Sequence, residues 1–316
     1  RFSSSTFYGI LPYCLNKKKL NRKPYLGIKE INSKCSLILN AIYYATDKSS
    51  FKKINLKISK DCSEMGIWLE QLISESSGKD NKGFVPVISY LENEKSTIKI
   101  VTTPEKNEKE IELLSIDIDK NTILEDMYLW QIGIIILCKK INVYPFDEPD
   151  VESSKLNTLN ILNSNERFNE YEAHLSINKF SKLINVNNKK DLLYLNLFIH
   201  EREGIKEKVE DLKSLIKKTS NIDSIAGFGP RYLHSVGQLQ KGGPKNIWVV
   251  YVFDKYIAEL NTMDNEFSEL SNIYYSQLMG DILALKTKNI NTYLINIDSK
   301  KLNPFDKIME EIKELA

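Results

Sequence analysis

Apolar residues recur at helical spacing over residues 5–16 and again over 25–46, where Ile28, Ile31, Cys35, Leu37, Ile38 and Ile42 fall. Ile54 to Ile58 alternates apolar with polar and predicts a strand. A helix over 63–74 puts Met65, Leu69, Leu72 and Ile73 on one face. Strands are predicted at 84–88, 97–101 and 111–118, and helices at 124–140 and 148–162. Residues 163–190 are polar and rich in Asn, with no readable period, and suggest a junction. The alternation then resumes: strand 192–199, helix 204–218, strand 224–227, helix 231–240, strand 247–253, helix 267–285, strand 292–297 and helix 304–315.

Strands that alternate with helices predict an α/β fold, a three-layer sandwich whose sheet is mostly parallel and covered. Two parts are expected, 1–165 and 166–316.

Composition narrows the function classes. Lys and Arg total 44 against 42 Asp and Glu, so no basic excess points to nucleic acid. The cluster Lys17-Lys18-Lys19 with Arg22 and Lys23 reads as a solvated loop. Cys14, Cys35, Cys62 and Cys138 form no CxxC pair and have no His at ligand spacing, which predicts inert thiols and no metal. No apolar run reaches the ~18 residues of a membrane span. With no basic-then-apolar leader, a cytoplasmic location is expected. The chain opens on Arg1 and reads as a fragment of something longer.

Three segments could carry chemistry, since sites in α/β sheets gather at strand ends and nearby helix termini. In SESSGKDNKGFVPV (74–87) a helix runs into a Gly-punctuated polar loop. A Gly-capped helix end with solvated lysines accounts for that spacing. The functional alternative has Glu75 projecting from the helix end beside loop N–H groups. NVYPFDEPDVESSK (142–155) is a rigid turn that starts a helix, either a plain cap or a device that aims Lys155. GFGPRYLHSVGQLQKGGP (227–244) follows a strand and holds His234 in the most unusual composition of the chain. Gly227 and Gly229 lack the GxGxxG spacing, which argues against a dinucleotide.

These segments resemble motifs of the phosphoglucose isomerase family, most closely the form fused to transaldolase. The first is similar to ESxGKxxKGxxPV, the second to NPFDQPxVxxxK, and the third to GYGPRFLHSTGQLHKGGP. The opening RFSSSTFYGILP resembles the family's GGRFS signature from its Arg onward, which makes Arg1 the counterpart of that Arg. The matches run in family order from residue 1 to about 286. The sequence departs at Gln240, where the family has a second His, at Glu148, where it has Gln, and at Ser4-Ser5, where it has a more apolar pair.

The resemblance implies a sugar-isomerase-type doubly wound fold and interconversion of glucose 6-phosphate and fructose 6-phosphate, a step of glycolysis and gluconeogenesis. It assigns proton transfer to Glu75, ring opening to His234 and Lys155, and enediolate stabilisation to Arg1. Gly78, Lys79 and Gln238 would line the sugar pocket. No cofactor is implied. The resemblance also implies a preceding sugar-isomerase domain that carries the phosphate loop, for which this sequence holds no substitute, and a homodimer. Nucleic acid and membrane are not expected partners. The rival reading is a sugar-phosphate-binding module of the same fold without catalysis.

Overall fold

Residues 1–3, 28–46, 52–102, 109–119, 123–163, 180, 182, 184, 191–201, 204–254, 266–298 and 305–314 are described by a computed structural model. The helix expected at 5–16, Cys14, the Lys17–Lys23 cluster and most of the Asn-rich stretch lie outside them. The chain divides into two compact units, Arg1–Asp147 and Glu148–Ala316.

In the first unit, alternation along β1 (Lys53–Ser59) buries Ile54, Leu56 and Ile58 while leaving Asn55 and Lys57 half-exposed. β1 pairs in parallel with β2 (Val85–Leu91) and antiparallel with β3 (Thr97–Thr102), which pairs antiparallel with β4 (Ile111–Asp117). Helices α1 (Ile28–Thr46), α2 (Ser63–Ser77) and α3 (Ile123–Lys140) bring Ile38, Ile42, Leu69, Leu72, Trp130 and Ile134 onto the apolar face. On the other face Lys57 stands opposite Lys99 across the β1–β3 ladder. Like charges so placed repel. Carboxylates offset this, Glu110 pairing with Lys57 and Glu94 and Glu112 with Lys99 at 2.7 and 3.1 Å. This sheet is therefore mixed and polar on one face, not the parallel, doubly covered sheet expected.

The second unit fits that expectation better. Its sheet is all parallel in the order β6–β5–β7–β8. The strands are β5 (Leu192–Phe198), β6 (Asp223–Phe228), β7 (Ile247–Asp254) and β8 (Asn291–Ile297). The two central strands, β5 and β7, are buried throughout, as strands covered on both faces must be. Leu193, Leu195 and Leu197 pack with Val209 and Leu212 of α5 (Ile205–Ser220), and with Ile308 and Ile312 of the last helix, Asp306–Glu314. The alternate residues, Tyr194, Asn196 and Phe198, take the other face, where Phe198 meets the rings of Tyr232, Tyr251 and Tyr274.

Two expected boundaries move. The units divide at Asp147/Glu148 rather than at 165/166, because α4 (Glu152–Asn163) packs along α7 (Glu266–Thr287) of the second unit. A Cβ on Gly280 of α7 would lie 2.4 Å from Thr158 Oγ1 and 2.7 Å from its backbone N, so only Gly permits this approach. The helix expected at 231–240 is broken into a 3₁₀ turn, Arg231–His234, and a short helix α6, Gly237–Gly242. Ser235, at φ −131° and ψ −77°, cannot continue the turn. No helix of the described residues is long and apolar enough to cross a membrane.

Candidate functional site

α2 runs to Ser77, a turn past the expected end at Ser74, so Glu75 lies inside the helix. The extension has its cause in hydrogen bonding. Ser77 Oγ donates to the Ile73 carbonyl at 2.7 Å and accepts from the Phe84 N–H at 2.9 Å, which folds the loop back on the helix. Between them Asp80 and Asn81 adopt φ of 57° and 60° in a tight turn closed by Lys79 and Lys82. Asp and Asn are the residues that tolerate this left-handed conformation. The Gly78 N–H donates to the Ser74 carbonyl and finishes the helix.

Glu75 is 2% exposed. Arg1 Nη1 lies 2.6 Å from its Oε2, and Gln71 Nε2 donates to the same oxygen at 3.2 Å. Arg1 Nη2 donates to the carbonyls of Pro145 and Asp147 at 3.1 and 3.0 Å, and the Arg1 carbonyl accepts from Gln131 Nε2. Lys79, also buried, donates to the carbonyls of Ser76 and Tyr144 and pairs with Asp147 at 3.0 Å. Three separate stretches, at residues 1, 75–79 and 144–147, thus meet through two cations and two carboxylates. Buried charges survive only when paired in this way. The hydroxyls of Ser74 and Ser76, flanking Glu75, are buried without hydrogen-bond partners among the described residues. Burial also pushes the nearby Cys138 thiol up to about 11, against the pull of Lys79 and Arg1.

In the second unit the remaining candidates are placed differently. Lys155 is exposed on α4 and pairs with Glu152 at 2.7 Å, a bond that raises its pKa. His234 ends the 3₁₀ turn, exposed and with no hydrogen-bond partner among the described residues. Gln238 is fully buried instead of open to a pocket. Its Nε2 donates to Asp150 Oδ2 at 2.6 Å and its Oε1 accepts from the Asp150 N–H at 3.0 Å, tying α6 to the start of α4. Gln240, the departure from the family motif, makes a reciprocal amide pair with Asn196 of β5 at 2.9 and 3.0 Å. Arg1, Glu75, Gly78 and Lys79 therefore share the first unit, and Lys155, His234 and Gln238 the second.

Beneath the 227–244 segment lies a network that the sequence did not signal. Asp281 of α7 is fully buried and takes the Lys241 ammonium at 2.6 Å. Ser154 Oγ donates to its Oδ1 at 2.8 Å, and the Tyr232 and Tyr251 hydroxyls donate to its Oδ2. Burial pushes this carboxyl up, but Lys241 and the two tyrosines outweigh it and hold its pKa below the ordinary value. The same burial, with the Asp281 charge, raises both tyrosines well above theirs. One carboxylate so joins α4, α6, α7, β7 and the 3₁₀ turn that carries His234. Among the described residues no group of three or more His, Cys, Asp or Glu could hold a metal ion.

No family model, curated protein or solved structure matches the chain.

Proposed function

We propose that this chain is part of an aldose–ketose isomerase of the phosphoglucose isomerase type, acting on glucose 6-phosphate and fructose 6-phosphate. The observation that carries the reading is the Arg1–Glu75 pair. The motif resemblance draws Arg1, Glu75 and the 144–147 turn from separate stretches, and these are the residues that converge. In this reading the first unit is the second sugar-isomerase-like domain of the family, and the second unit, whose parallel sheet has the strand order of a doubly wound fold, is the C-terminal part that carries the GFGPRYLHSVGQ motif.

The chemistry needs a carboxylate that takes a proton from one carbon and returns it to its neighbour through a cis-enediolate. Glu75 is that group. Arg1, a permanent cation beside it, balances charge that develops on the enediolate oxygen. His234 and Lys155 open the ring, which needs an acid at the ring oxygen and a base at the anomeric hydroxyl. Both are exposed. Gln238 and Asp281 hold the segments that bear them. Glu75 needs to part from Arg1, or share it with substrate, before it can reach carbon.

The test is isomerisation of fructose 6-phosphate by the chain extended upstream to include the phosphate-binding domain the resemblance implies, with Glu75→Gln as the control. Turnover that Glu75→Gln abolishes supports the reading. Sugar phosphate bound without turnover assigns the chain to the non-catalytic binding modules instead.

A further inference from the structure

Helix α3 is apolar on more than its packed side. Leu129, Trp130, Ile134 and Leu137 are buried in the core of the first unit. A helix that is apolar all round belongs in a buried setting, yet Tyr128 is 39% exposed and Ile136 45%, with Ile132 half-buried between them. At its two ends this outer stripe runs into charge, Glu125 in the first turn of the helix and Lys139 in the last. Neither has an ion-pair partner among the described residues, while the neighbouring Lys140 is engaged by the Tyr43 ring at 3.4 Å. Glu125, Tyr128, Ile132, Ile136 and Lys139 follow one another at steps of three, four, four and three residues, which keeps all five on one face. Spacing and exposure therefore read the same from either end, and only the charge changes sign.

We propose that this stripe packs antiparallel against the same stripe of a second copy of the chain, about a two-fold axis at Ile132. Glu125 then meets the second copy's Lys139, Tyr128 meets its Ile136, and Ile132 meets Ile132. Both charged ends are neutralised, and the apolar centre leaves water, which supplies the affinity. A parallel pair would set Glu125 against Glu125 and Lys139 against Lys139, and like charges repel. A two-fold contact requires a surface complementary to itself. The order acidic, apolar, basic over a mirrored spacing meets that requirement, whereas a helix of a different protein would need no mirror. One helix pair covers less than the ~1,600 Å² of a standard interface, so association in the micromolar range is expected. None of these residues takes part in the proposed reaction, so the contact stands apart from the isomerase reading.

Sedimentation velocity of the full chain, from micromolar to millimolar concentration, measures the association, and a monomer–dimer equilibrium is expected. Ile136→Glu sets a charge opposite Tyr128 and should abolish the dimer. The position is exposed, so the fold should persist, which circular dichroism checks. Glu125→Lys and Lys139→Glu each turn two ion pairs into two repulsions and should weaken the dimer about tenfold. An equal mixture of those two variants should regain the wild-type affinity, because every new charge then faces its opposite. The proposal is overturned if the chain stays monomeric at millimolar concentration, or if a dimer forms that Ile136→Glu leaves intact. It is equally overturned if either charge reversal alone leaves the affinity unchanged, or if the mixture associates no better than each variant by itself.

Discussion

Lys241 and Asp281 meet at 2.6 Å with both side chains fully withdrawn from solvent. Their surroundings are unequal. Without Lys241, Asp281 keeps the hydroxyls of Ser154, Tyr232 and Tyr251. Without Asp281, the Lys241 ammonium keeps, among the described residues, a long contact of 3.4 Å to the Gly237 carbonyl. Removing one member of a buried pair costs about 3–5 kcal/mol. Asp281→Asn should therefore fall at the upper end of that range, and Lys241→Met clearly below it. Urea unfolding of the two variants decides; an equal or larger loss for Lys241→Met would contradict this division.

The pH dependence of that network has a definite sign. Asp281 is depressed in the folded state, so its stabilisation is present above the unfolded value of about 4 and is lost as pH falls further. Tyr232 and Tyr251 are raised, so theirs is present below about 10 and lost as pH rises. Tyr232→Phe should flatten the alkaline limb of an unfolding curve measured from pH 8 to 11.

Asp126 behaves in the opposite sense to Asp281. Burial pushes its carboxyl up to about 6, against the pull of Lys34. A carboxyl raised in the folded state favours folding below about 4, and that contribution is lost as pH climbs to 6 and beyond. Two pH units correspond to about 3 kcal/mol. Asp126→Asn should gain on the wild type by about that amount between pH 4 and pH 7. If the difference in urea midpoints between the two proteins does not change over that range, the carboxyl is not titrating there.

The strands were legible because their cores announce themselves. Leu192–Phe198 and Ile247–Asp254 are near-continuous apolar runs, and Ile54–Ile58 alternates. Buried polarity stayed hidden. Ser74-Glu75-Ser76-Ser77 reads as a solvated helix end, yet it is buried because Arg1 and the 144–147 turn close over it. Lys241, Gln238 and Gln240 are buried as well, and their partners Asp281, Asp150 and Asn196 are too distant in sequence to be paired by spacing. The helix-to-loop segment offered Glu75 only as an alternative to a plain helix end, and the resemblance alone brought in Arg1. It could not foresee that Lys155 and His234 would be exposed.

Two glycines should respond to Ala in opposite directions. At Gly280 the new methyl meets the Thr158 backbone, which cannot yield without moving α4 off α7. Gly280→Ala should lose about 2–3 kcal/mol, as overpacking does. At Gly133, inside α3, the methyl finds only Ile38 at 3.7 Å, an ordinary contact. Gly133→Ala should gain about 0.5–1 kcal/mol from helix propensity. Thermal and urea unfolding measure both.

Glu75→Gln tests the proposed proton transfer itself. The substitution keeps the size of the side chain and lets it still accept from Gln71, but removes the charge that Arg1 faces at 2.6 Å. Some stability must be lost with the ion pair, so rates are compared at a temperature where both proteins are fully folded by circular dichroism. A positioned base contributes roughly a hundred- to ten-thousand-fold, and here one carboxylate serves two carbons, so a loss near the upper figure is expected. Substrate affinity should change little, because Gln fills the same volume. His234→Ala separates the steps. If His234 opens the ring, its loss slows turnover of the cyclic sugar while exchange of the carbon-bound proton with solvent deuterium persists in substrate that is already open. Retention of a tenth or more of the rate by Glu75→Gln would remove Glu75 as the base, and the neighbouring Glu70 would be the carboxylate to test next.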